Sequence, residues 1–298
     1  MNNDKTPLVS LLIANFNNGK YIAETLQSAV NQTYSNIEIV VIDDASSDNS
    51  VEIINDFILK NKKSNIKFFE NNINSGGCGK IKRQCIEFSN GEFFAFLDPE
   101  DTITTNAVEQ LMNVHLENPQ YSIVYCTHWL CNEKLEPQSI TTWAGQIPEN
   151  QSHLTSTGGH ISAFAINKRA DYNKTLGINP DYIVAEDMDL YLKMEEIAPV
   201  FFVEKPLYYY RKHDHNASWD YEKRYRNLFW RHTAEKAAYL RRKNTKTAAI
   251  NLTVRQLHKQ NFSYFMQMAK FERIQKHFFK SIINNFKAVP YIYTLFLK

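Results

Sequence analysis

The first hundred residues alternate short apolar runs with stretches in which apolar side chains recur every three or four positions. Four runs, at residues 9–14, 37–42, 66–70 and 93–97, are rich in β-branched and aromatic side chains. Each run is almost continuously apolar, which is typical of strands that helices cover on both faces of a parallel sheet. The pattern therefore predicts four buried β-strands in this part of the chain.

Helical spacing fills the intervals between these strands. Apolar positions at 22, 26, 29 and 30, and again at 51, 54 and 58, fall on one face of a helix, and residues 79–89 give a weaker signal. Parallel strands need crossover connections, and these connections are right-handed. The order therefore predicts an α/β fold with a Rossmann-like, mostly parallel twisted sheet flanked by helices, and with its ligand site at the carboxyl ends of the strands.

The middle of the chain has a more mixed pattern. A helix is predicted up to about residue 118, followed by strands at 122–126 and 162–167, a helix at 186–196 and an apolar, aromatic run at 200–210. Residues 132–159 are polar and are expected to form a long loop.

Charge divides the chain into two unlike parts. Residues 221–298 carry 17 lysines and arginines against 3 acidic residues, a net charge of +14, whereas residues 1–220 carry 17 against 29, a net charge of −12. A chain of 298 residues also exceeds the usual size of one domain. We therefore predict an α/β domain at 1–218 and a mainly helical, basic C-terminal region at 219–298.

An amphipathic pattern runs through the end of the basic region. Phe271, Ile274, Phe278, Ile282 and Phe286 recur at steps of three or four residues, which predicts one continuous helix with an apolar stripe. Basic residues at 270, 273, 276, 280 and 287 lie largely off this stripe. Such a helix either packs on the α/β domain or on a second subunit of a homo-oligomer, or docks on an anionic membrane surface without spanning it.

Other features of the sequence limit the environment of the protein. No stretch approaches the roughly 18 uninterrupted apolar residues of a spanning helix, and residues 1–7 hold no basic segment followed by a cleavable apolar one. The 4 cysteines match no zinc, redox or disulfide pattern, so each is expected to be a buried or half-buried thiol. These features predict a cytoplasmic protein without a signal peptide.

Polar clusters follow three of the four predicted strands. The most informative is Asp98-Pro99-Glu100-Asp101, in which three carboxylates lie within four residues. Their repulsion is costly unless a cation or ordered donors compensate it, and Mg²⁺ or Mn²⁺ usually takes one or two protein carboxylates together with substrate phosphates. The alternative is a solvated turn with Asp101 at the cap of a following helix.

Further candidates for chemistry lie at the ends of other elements. Asp44 follows the second strand, where a carboxylate accepts hydrogen bonds from a base or ribose in other nucleotide-binding folds. Glu186-Asp187 begins a predicted helix, so that either the helix dipole explains both residues or one carboxylate is a general base. After the aromatic run, Arg211 is a candidate phosphate clamp, and His213 is either a metal ligand or a structural histidine.

Taken in order, these segments resemble the inverting family-2 glycosyltransferases with the A-type nucleotide-sugar-binding fold. The resemblance covers residues 8 to about 218 and rests on the ordered set of segments. They are VSLLIANFNN at 9–18, NQTY at 31–34, IEIVVIDDASSDNS at 37–50, GE at 91–92, FLDPED at 96–101, EDMDL at 186–190 and YRKH at 210–213. The resemblance implies metal-dependent transfer of a sugar from a nucleoside-diphosphate sugar, with UDP preferred, to a glycan or lipid-linked acceptor, as in cell-surface polysaccharide synthesis.

The resemblance also implies the residues of the donor site. Ala14, Phe16 and Asp44 would bind the nucleotide base. Lys82 stands near the place where the family often has a basic residue ahead of the metal motif, and Arg211 would neutralise charge on the diphosphate. Part of the acceptor site is expected within residues 132–159.

A catalytic and metal-binding set is implied as well. Asp187 would be the catalytic base, and a divalent cation, Mn²⁺ or Mg²⁺, would be held by Asp98, Glu100 and His213. Asp98 would contact the ribose or a metal-bound water. The chain departs from the family pattern twice, because Ala14 replaces the usual proline or threonine and Glu100 replaces the usual second aspartate. The longer glutamate bears on which metal is preferred.

Two other functions fit parts of the sequence. A nucleotidyltransferase of similar fold would carry a Gly-rich, basic phosphate loop after the first strand, where this chain has NFNNG at 15–19. A non-catalytic nucleotide- or nucleic-acid-binding module is suggested by the basic region, but no recognition motif accompanies its cations. The sequence therefore favours an enzyme that uses a nucleotide sugar and does not bind nucleic acid.

Overall fold

The computed structural model of the protein describes residues 6–213, 221–243, 254–274 and 277–296. Within these ranges the strands form one mixed sheet, and helices lie on both of its faces and in the C-terminal region. The strands are β1 (Val9–Asn15), β2 (Ile37–Asp43), β3 (Ile66–Glu70), β4 (Phe93–Phe96), β5 (Thr102–Ile103), β6 (Ile123–Cys131), β7 (Pro137–Ile140), β8 (Ala165–Lys168) and β9 (Val200–Arg211). The helices are α1 (Ile22–Val30), α2 (Ser50–Lys60), α3 (Cys78–Glu87), α4 (Ala107–Glu117), α5 (Arg169–Tyr172), α6 (Glu186–Glu195), α7 (Tyr221–Lys243), α8 (Val254–Ile274) and α9 (Phe278–Phe296).

The first half of the sheet is parallel. β1 pairs in parallel with β2 and β4, and β2 pairs in parallel with β3. The four strands predicted from the apolar runs are confirmed, each to within one residue at either end. The predicted α/β class is confirmed as well.

The strands after β4 make the sheet mixed. The order is β3-β2-β1-β4-β8-β6-β9-β5, and β7 pairs with β6. β8 is antiparallel to β4 and β6, and β9 is parallel to β6 but antiparallel to β5. β5 directly follows the acidic turn at 98–101, so its pairing with β9 carries the end of β9 to that turn.

Both faces of β1 are covered, which explains its uninterrupted apolar run. Leu11 and Ile13 point to a core layer shared with α1, α2 and α4. Leu12 points to the opposite layer, where it joins side chains of α3 and α6. All three side chains are fully buried, as is expected for a central strand between two helical layers.

The C-terminal helices form a hairpin and a connecting helix. The prediction of one continuous helix across residues 270–287 is wrong, because α8 ends at Ile274 and α9 begins at Phe278. Ser281 Oγ donates to the carbonyl of Ala269 at 2.9 Å, and the rings of Phe265 and Tyr291 stack at 6.0 Å. These contacts pair the two helices in antiparallel fashion.

Parts of the sequence prediction lie outside the described residues. They include the boundary at 218/219, Lys276 and the side chains of Phe271, Ile274 and Phe278. The division into domains at 218 therefore stays a prediction.

α7 connects the hairpin to the sheet domain. Its Ala234 and Ala238 pack against Leu192 of α6 and against Leu154 and Tyr182. On the side of the hairpin, the ring of His232 stacks on Tyr264 of α8 with the centroids 4.0 Å apart.

The cysteines and the hydropathy of the helices can be compared with their predictions. Cys85, Cys126 and Cys131 are buried free thiols and Cys78 is a half-buried one, as predicted. In the part of the chain that the structure describes, we find no helix with both the length and the apolar character that crossing a bilayer requires.

Candidate active site

Three strand ends meet at one edge of the sheet. β1 lies between β2 and β4 and runs parallel to both, so the segments that follow these strands leave the sheet side by side. Asn15, at the end of β1, donates from Nδ2 to Asp43 Oδ2 at 2.7 Å and ties β1 to β2. The polar clusters at 14–19, 43–48 and 98–101 are thereby brought together, at the place where parallel sheets bind ligands.

Asp44 holds the loop that follows β3. It is 4% exposed and accepts hydrogen bonds from Asn71 Nδ2 at 2.9 Å, from Ser75 N at 3.0 Å and from Ser75 Oγ at 2.7 Å. Phe16, directly after β1, is 46% exposed, and Ala14 is half-buried. An exposed phenyl ring is suited to stacking on a planar base. Base binding by Ala14, Phe16 and Asp44 stays a prediction.

The acidic turn after β4 holds carboxylates in different environments. The side chain of Asp98 is 41% exposed. Asp101 is buried and accepts hydrogen bonds from Tyr208 OH and from the backbone N–H of Arg211, both at 2.7 Å. Because β5 and not a helix follows Asp101, the alternative in which Asp101 caps a helix is wrong. Asp101 instead fastens the turn to β9.

Asp98 and Glu100 form a pair of carboxylates that a cation would relieve. Burial and the nearby charge of Asp98 raise the pKa of Glu100 to about 7. Oxygen donors under such repulsion fit a hard divalent cation, which commonly takes one or two protein carboxylates. Across the described ranges, no cluster of three or more His, Cys, Asp or Glu side chains is arranged to hold a metal. His213, whose ring lies 5.1 Å from that of Tyr21, stays a predicted ligand.

Arg211 is engaged with the protein itself. Its side chain is 2% exposed, and Nε and Nη1 donate to the carbonyls of Glu100 and Glu133, each at 2.6 Å. Nη2 donates to Glu24 Oε2 at 2.7 Å, and the guanidinium lies 4.6 Å from the ring centre of Tyr21. This arrangement positions the backbone of the acidic turn. The role of Arg211 as a phosphate clamp stays a prediction.

Lys82 joins the acidic turn to the predicted base. Its Nζ lies 2.7 Å from Glu186 Oε1 and 3.5 Å from Asp98 Oδ1, and its side chain is 13% exposed. Burial alone would lower the Lys82 pKa, but the carboxylates of Glu186, Asp98 and Asp187 outweigh burial and hold that pKa well above its usual value. A cationic Lys82 therefore links the end of β4 to the first turn of α6.

The first turn of α6 carries the predicted base. Glu186, Asp187 and Asp189 all lie in this turn, where the helix dipole favours acidic side chains. Tyr191, one turn later, is buried, and its ring lies 6.3 Å from that of His153. The expected long loop at 132–159 therefore contains β7 (Pro137–Ile140), and its part after β7 reaches Tyr191 of α6.

Two glycines hold the start of α3 against the segment that leads into α6. The backbone N–H groups of Cys78 and Gly79 donate to the carbonyls of Ile183 and Tyr182, at 3.0 and 2.9 Å. A Cβ on Gly79 would lie 2.8 Å from the Tyr182 oxygen, and one on Gly77 would lie 2.9 Å from the Cα of Ile183. The two glycines therefore allow the backbone at the start of α3 to lie close to the segment that precedes α6.

Sequence reasoning missed two contacts of the candidate site. It considered Glu186 together with Asp187, through the helix dipole or as a general base, and did not anticipate the ion pair of Glu186 with Lys82. It also read Tyr208 as part of an aromatic run and missed its hydrogen bond to Asp101, a residue 107 positions away. Residues 98–101 carry three carboxylates and no cation. That excess of negative charge was the sequence signal that hydrogen-bond donors from elsewhere in the chain must reach the turn.

Comparison with known proteins identifies relatives for most of the sheet domain. The model of the family described as glycosyl transferase family 2 matches residues 10–176. An uncharacterized glycosyltransferase of Rickettsia felis is 33% identical over 224 residues, which are 71% of this chain and 35% of that protein. A hyaluronan synthase of Pasteurella multocida is 28% identical over 219 residues, 72% of this chain and 21% of that protein. The chain thus spans about a third or less of the length of these relatives.

Solved structures share the fold over nearly the whole chain. Residues 1–349 of S. aureus TarS, in complex with UDP, align with a TM-score of 0.60 and 19% identity over 95% of this chain and 88% of that one. The mannosyltransferase PcManGT from Pyrobaculum calidifontis, in complex with GDP-Man and Mn²⁺, aligns with a TM-score of 0.58 and 13% identity over 96% and 88%. At these identities the likeness shows the fold, and the predicted A-type fold is confirmed.

Proposed function

Because the chain belongs to glycosyl transferase family 2, we propose that it transfers a sugar from a nucleoside-diphosphate sugar to a hydroxyl group of a glycan or lipid-linked acceptor. The observation that carries the proposal is the bridge made by Lys82. It places the acidic turn that would meet the diphosphate beside the helix that presents Asp187. Donor charge and acceptor base would then act at one edge of the sheet.

The donor proposed here is a UDP-sugar. Its base would stack on the exposed ring of Phe16, next to Ala14 and to the loop that Asp44 holds. TarS, whose fold this chain shares, was solved with UDP, which supports the choice of nucleotide. A thermal-shift screen of UDP-, GDP-, dTDP- and CMP-sugars, with and without Mn²⁺, tests it. Selective stabilisation by a sugar of another nucleotide would overturn the UDP proposal.

A divalent cation, Mn²⁺ or Mg²⁺, is part of the proposal. Asp98 and Glu100 would hold it, with His213 as a further ligand, and PcManGT provides a precedent for Mn²⁺ in this fold. When bound, such a cation supplies charge stabilisation to a departing nucleoside diphosphate. Arg211 contributes indirectly, because its guanidinium fixes the carbonyl of Glu100 and so the shape of the turn.

Asp187 would be the catalytic base. Its carboxylate takes the proton of the acceptor hydroxyl while the hydroxyl oxygen bonds to the anomeric carbon and the bond from that carbon to the diphosphate oxygen breaks. A single displacement of this kind inverts the anomeric configuration. Lys82 and Glu186 position Asp187 by fixing the first turn of α6.

The Asp187→Asn variant tests this assignment. The amide keeps the shape of the side chain and loses the ability to accept the proton, so turnover should fall by at least about two powers of ten while donor affinity stays within a factor of about two. Turnover is followed by release of the nucleoside diphosphate, and donor affinity by calorimetry. Near-normal turnover in the variant, or a product with retained configuration, would contradict the mechanism.

The acceptor and the location complete the proposal. The hyaluronan synthase among the relatives supports a role in polysaccharide synthesis, and the loop at 132–159 would provide part of the acceptor site. We propose that the protein acts at the cytoplasmic face of a membrane as a peripheral protein, where lipid-linked acceptors can be reached. Its C-terminal region is the part of the chain suited to that contact.

A further inference from the structure

The two sides of α9 differ in character. Ser281 and Ala288 are 3% and 1% exposed, and Ser281 contacts α8. Ile282, Ile283 and Phe286 are 50%, 52% and 71% exposed. At 100° per residue, these three positions fall on the side of the helix away from Ser281 and Ala288. α9 therefore buries a small-residue face on α8 and exposes a large apolar face.

Basic residues border this apolar face. Lys280 and Lys287 are exposed and follow Ile283 around the helix, and Lys270 and Arg273 are exposed on α8. Residues 254–298 carry 8 lysines and arginines against one acidic residue. That residue, Glu272, is 5% exposed and lies 3.0 Å from His277 Nδ1, so it adds little negative charge to the surface.

We propose that the α8–α9 hairpin docks on an anionic phospholipid bilayer through the face formed by Ile282, Ile283 and Phe286, with Lys280 and Lys287 at the headgroups. The inference rests on the proposed function, because the bilayer is where a lipid-linked acceptor would be met. An interfacial helix buries its apolar face at the headgroup boundary while cations on its border attract anionic lipids. The hairpin has both features on one helix.

Charge complementarity favours a bilayer over a second copy of this chain. A symmetric contact through the same face would bring Lys280 and Lys287 of one copy toward the equivalent lysines of the other, and like charges at an interface repel. A bilayer that contains anionic lipids offers the opposite charge. It can also accept three apolar side chains without a complementary pocket.

Vesicle co-sedimentation tests the proposal on the full chain. We expect salt-sensitive binding to phosphatidylglycerol-containing vesicles and little binding to pure phosphatidylcholine vesicles. The variant Ile282→Gln/Ile283→Gln/Phe286→Gln should bind at least about tenfold more weakly, because each side chain loses its apolar contact with the bilayer. The matched control is Leu59→Gln/Leu116→Gln, which makes the same change at positions 63% and 51% exposed on α2 and α4 and should bind normally.

The charged border has its own test. The variant Lys280→Gln/Lys287→Gln should bind anionic vesicles about thirty-fold more weakly, a factor of about five for each lysine. Its control, Lys62→Gln/Lys63→Gln, removes two exposed lysines next to α2 and should leave binding unchanged.

Donor hydrolysis separates this inference from the proposed function. Hydrolysis without acceptor is measured in every variant and should stay at the parent level, because each changed residue is exposed and none of them belongs to the donor site. If the parent protein does not hydrolyse the donor, that result contradicts the proposed function and leaves the docking surface untouched. Equal vesicle binding by parent and Gln variants would overturn the docking surface. So would a concentration-dependent dimer that the Ile282→Gln/Ile283→Gln/Phe286→Gln change dissolves, since the face would then be an interface between copies.

Discussion

Replacement of Arg242 by methionine tests whether α7 holds the base helix in place. The Arg242 side chain is 2% exposed, and Nη2 donates to Glu195 Oε2 at 2.9 Å and to the Leu192 carbonyl at 3.0 Å. Its Nε donates to Glu196 Oε1 at 3.1 Å. Glu195 also accepts the backbone N–H of His153 at 2.7 Å. One buried side chain thus connects α7 to the last turn of α6 and, through Glu195, to His153 of the segment after β7.

The size of the effect follows from burial. Methionine fills a similar length of space but leaves Glu195 without its cation, and removing one partner of a buried ion pair costs about 3–5 kcal/mol. With an unfolding entropy of about 2.1 cal/mol/K per residue, that loss lowers the Tm of this 298-residue chain by roughly 5–8 °C. Burial already raises the pKa of Glu195, and Arg242 is the strongest influence in the opposite direction. The variant should raise that pKa further.

The sign of the pH dependence follows from the raised pKa of Glu195. A carboxyl group whose pKa is higher in the folded state costs stability above its unfolded pKa, and the cost disappears as the pH falls below the folded value and the group takes up a proton. The difference in Tm between parent and Arg242→Met should therefore be largest at neutral to alkaline pH. It should shrink as the solution is made acidic.

The assay is calorimetric unfolding of parent and variant from acidic to alkaline pH. Sugar transfer is measured at a temperature well below both Tm values. Because α6 carries Asp187, kcat should fall about ten- to a hundred-fold through misplacement of the base, while the donor KM changes little. The control is Lys243→Met, which removes an exposed cation at the end of the same helix and should change the free energy of unfolding by about 0.5 kcal/mol or less. Equal losses of Tm in both variants, or a normal kcat in Arg242→Met, would refute the positioning role.

Three further changes test the other contacts of the site. Gly79→Ala should lower the free energy of unfolding by about 1–3 kcal/mol, since its Cβ would lie 2.4 Å from the Asn179 carbonyl; an unchanged urea midpoint would contradict this. Lys82→Met should lower Tm by stranding the buried Glu186 carboxylate, and Lys82→Arg should recover part of the loss in the same thermal scan. Glu100→Gln should weaken Mn²⁺-dependent donor binding at least about tenfold, because an amide is a poor ligand for a hard cation. Calorimetry with and without Mn²⁺ checks it, and unchanged binding with Mn²⁺ present would remove Glu100 from the metal site.

The parallel half of the sheet could be predicted because its signal is local. Each strand is an apolar run bounded by polar residues, and helical spacing fills the gaps between runs. The placement of the clusters after β1, β2 and β4 followed from strand direction alone. The mixed half was harder, because β8 and β9 join the sheet through long connections that leave no period in the sequence.

The partners of the buried charges could not be predicted, since they are distant in sequence. The protein contacts of Arg211 could not be predicted from its place beside His213, because its acceptors come from segments 78 to 187 residues away. Asp101 looks like a helix cap, and its donors come from β9. These pairings depend on tertiary contacts that local spacing does not encode.

The prediction for residues 271–286 was wrong for a different reason, because the helical spacing was read correctly but does not show where a helix ends. Apolar residues keep helical spacing through 271–286, so periodicity alone predicts one helix. α8 instead ends at Ile274 and α9 begins at Phe278, so that Ser281 contacts Ala269, and small side chains at that contact allow the two helices to lie close together. The apolar residues beyond the break then divide, with Ile282 and Phe286 facing away from α8.

Side-chain contacts connect the α8–α9 hairpin, through α7, to α6, the helix that carries Asp187. Tyr264 of α8 stacks on His232 in the middle of α7, and Arg242, near the end of α7, donates hydrogen bonds to Leu192 and Glu195 of α6. α6 in turn begins with the carboxylates that Lys82 draws to the acidic turn. A hairpin docked on a bilayer would therefore fix the orientation of Asp187 toward the membrane as well as its distance from it. An acceptor carried on a lipid would then meet Asp187, the proposed base, from a constant direction, and such fixed orientation of reacting groups is what lowers the barrier to their reaction.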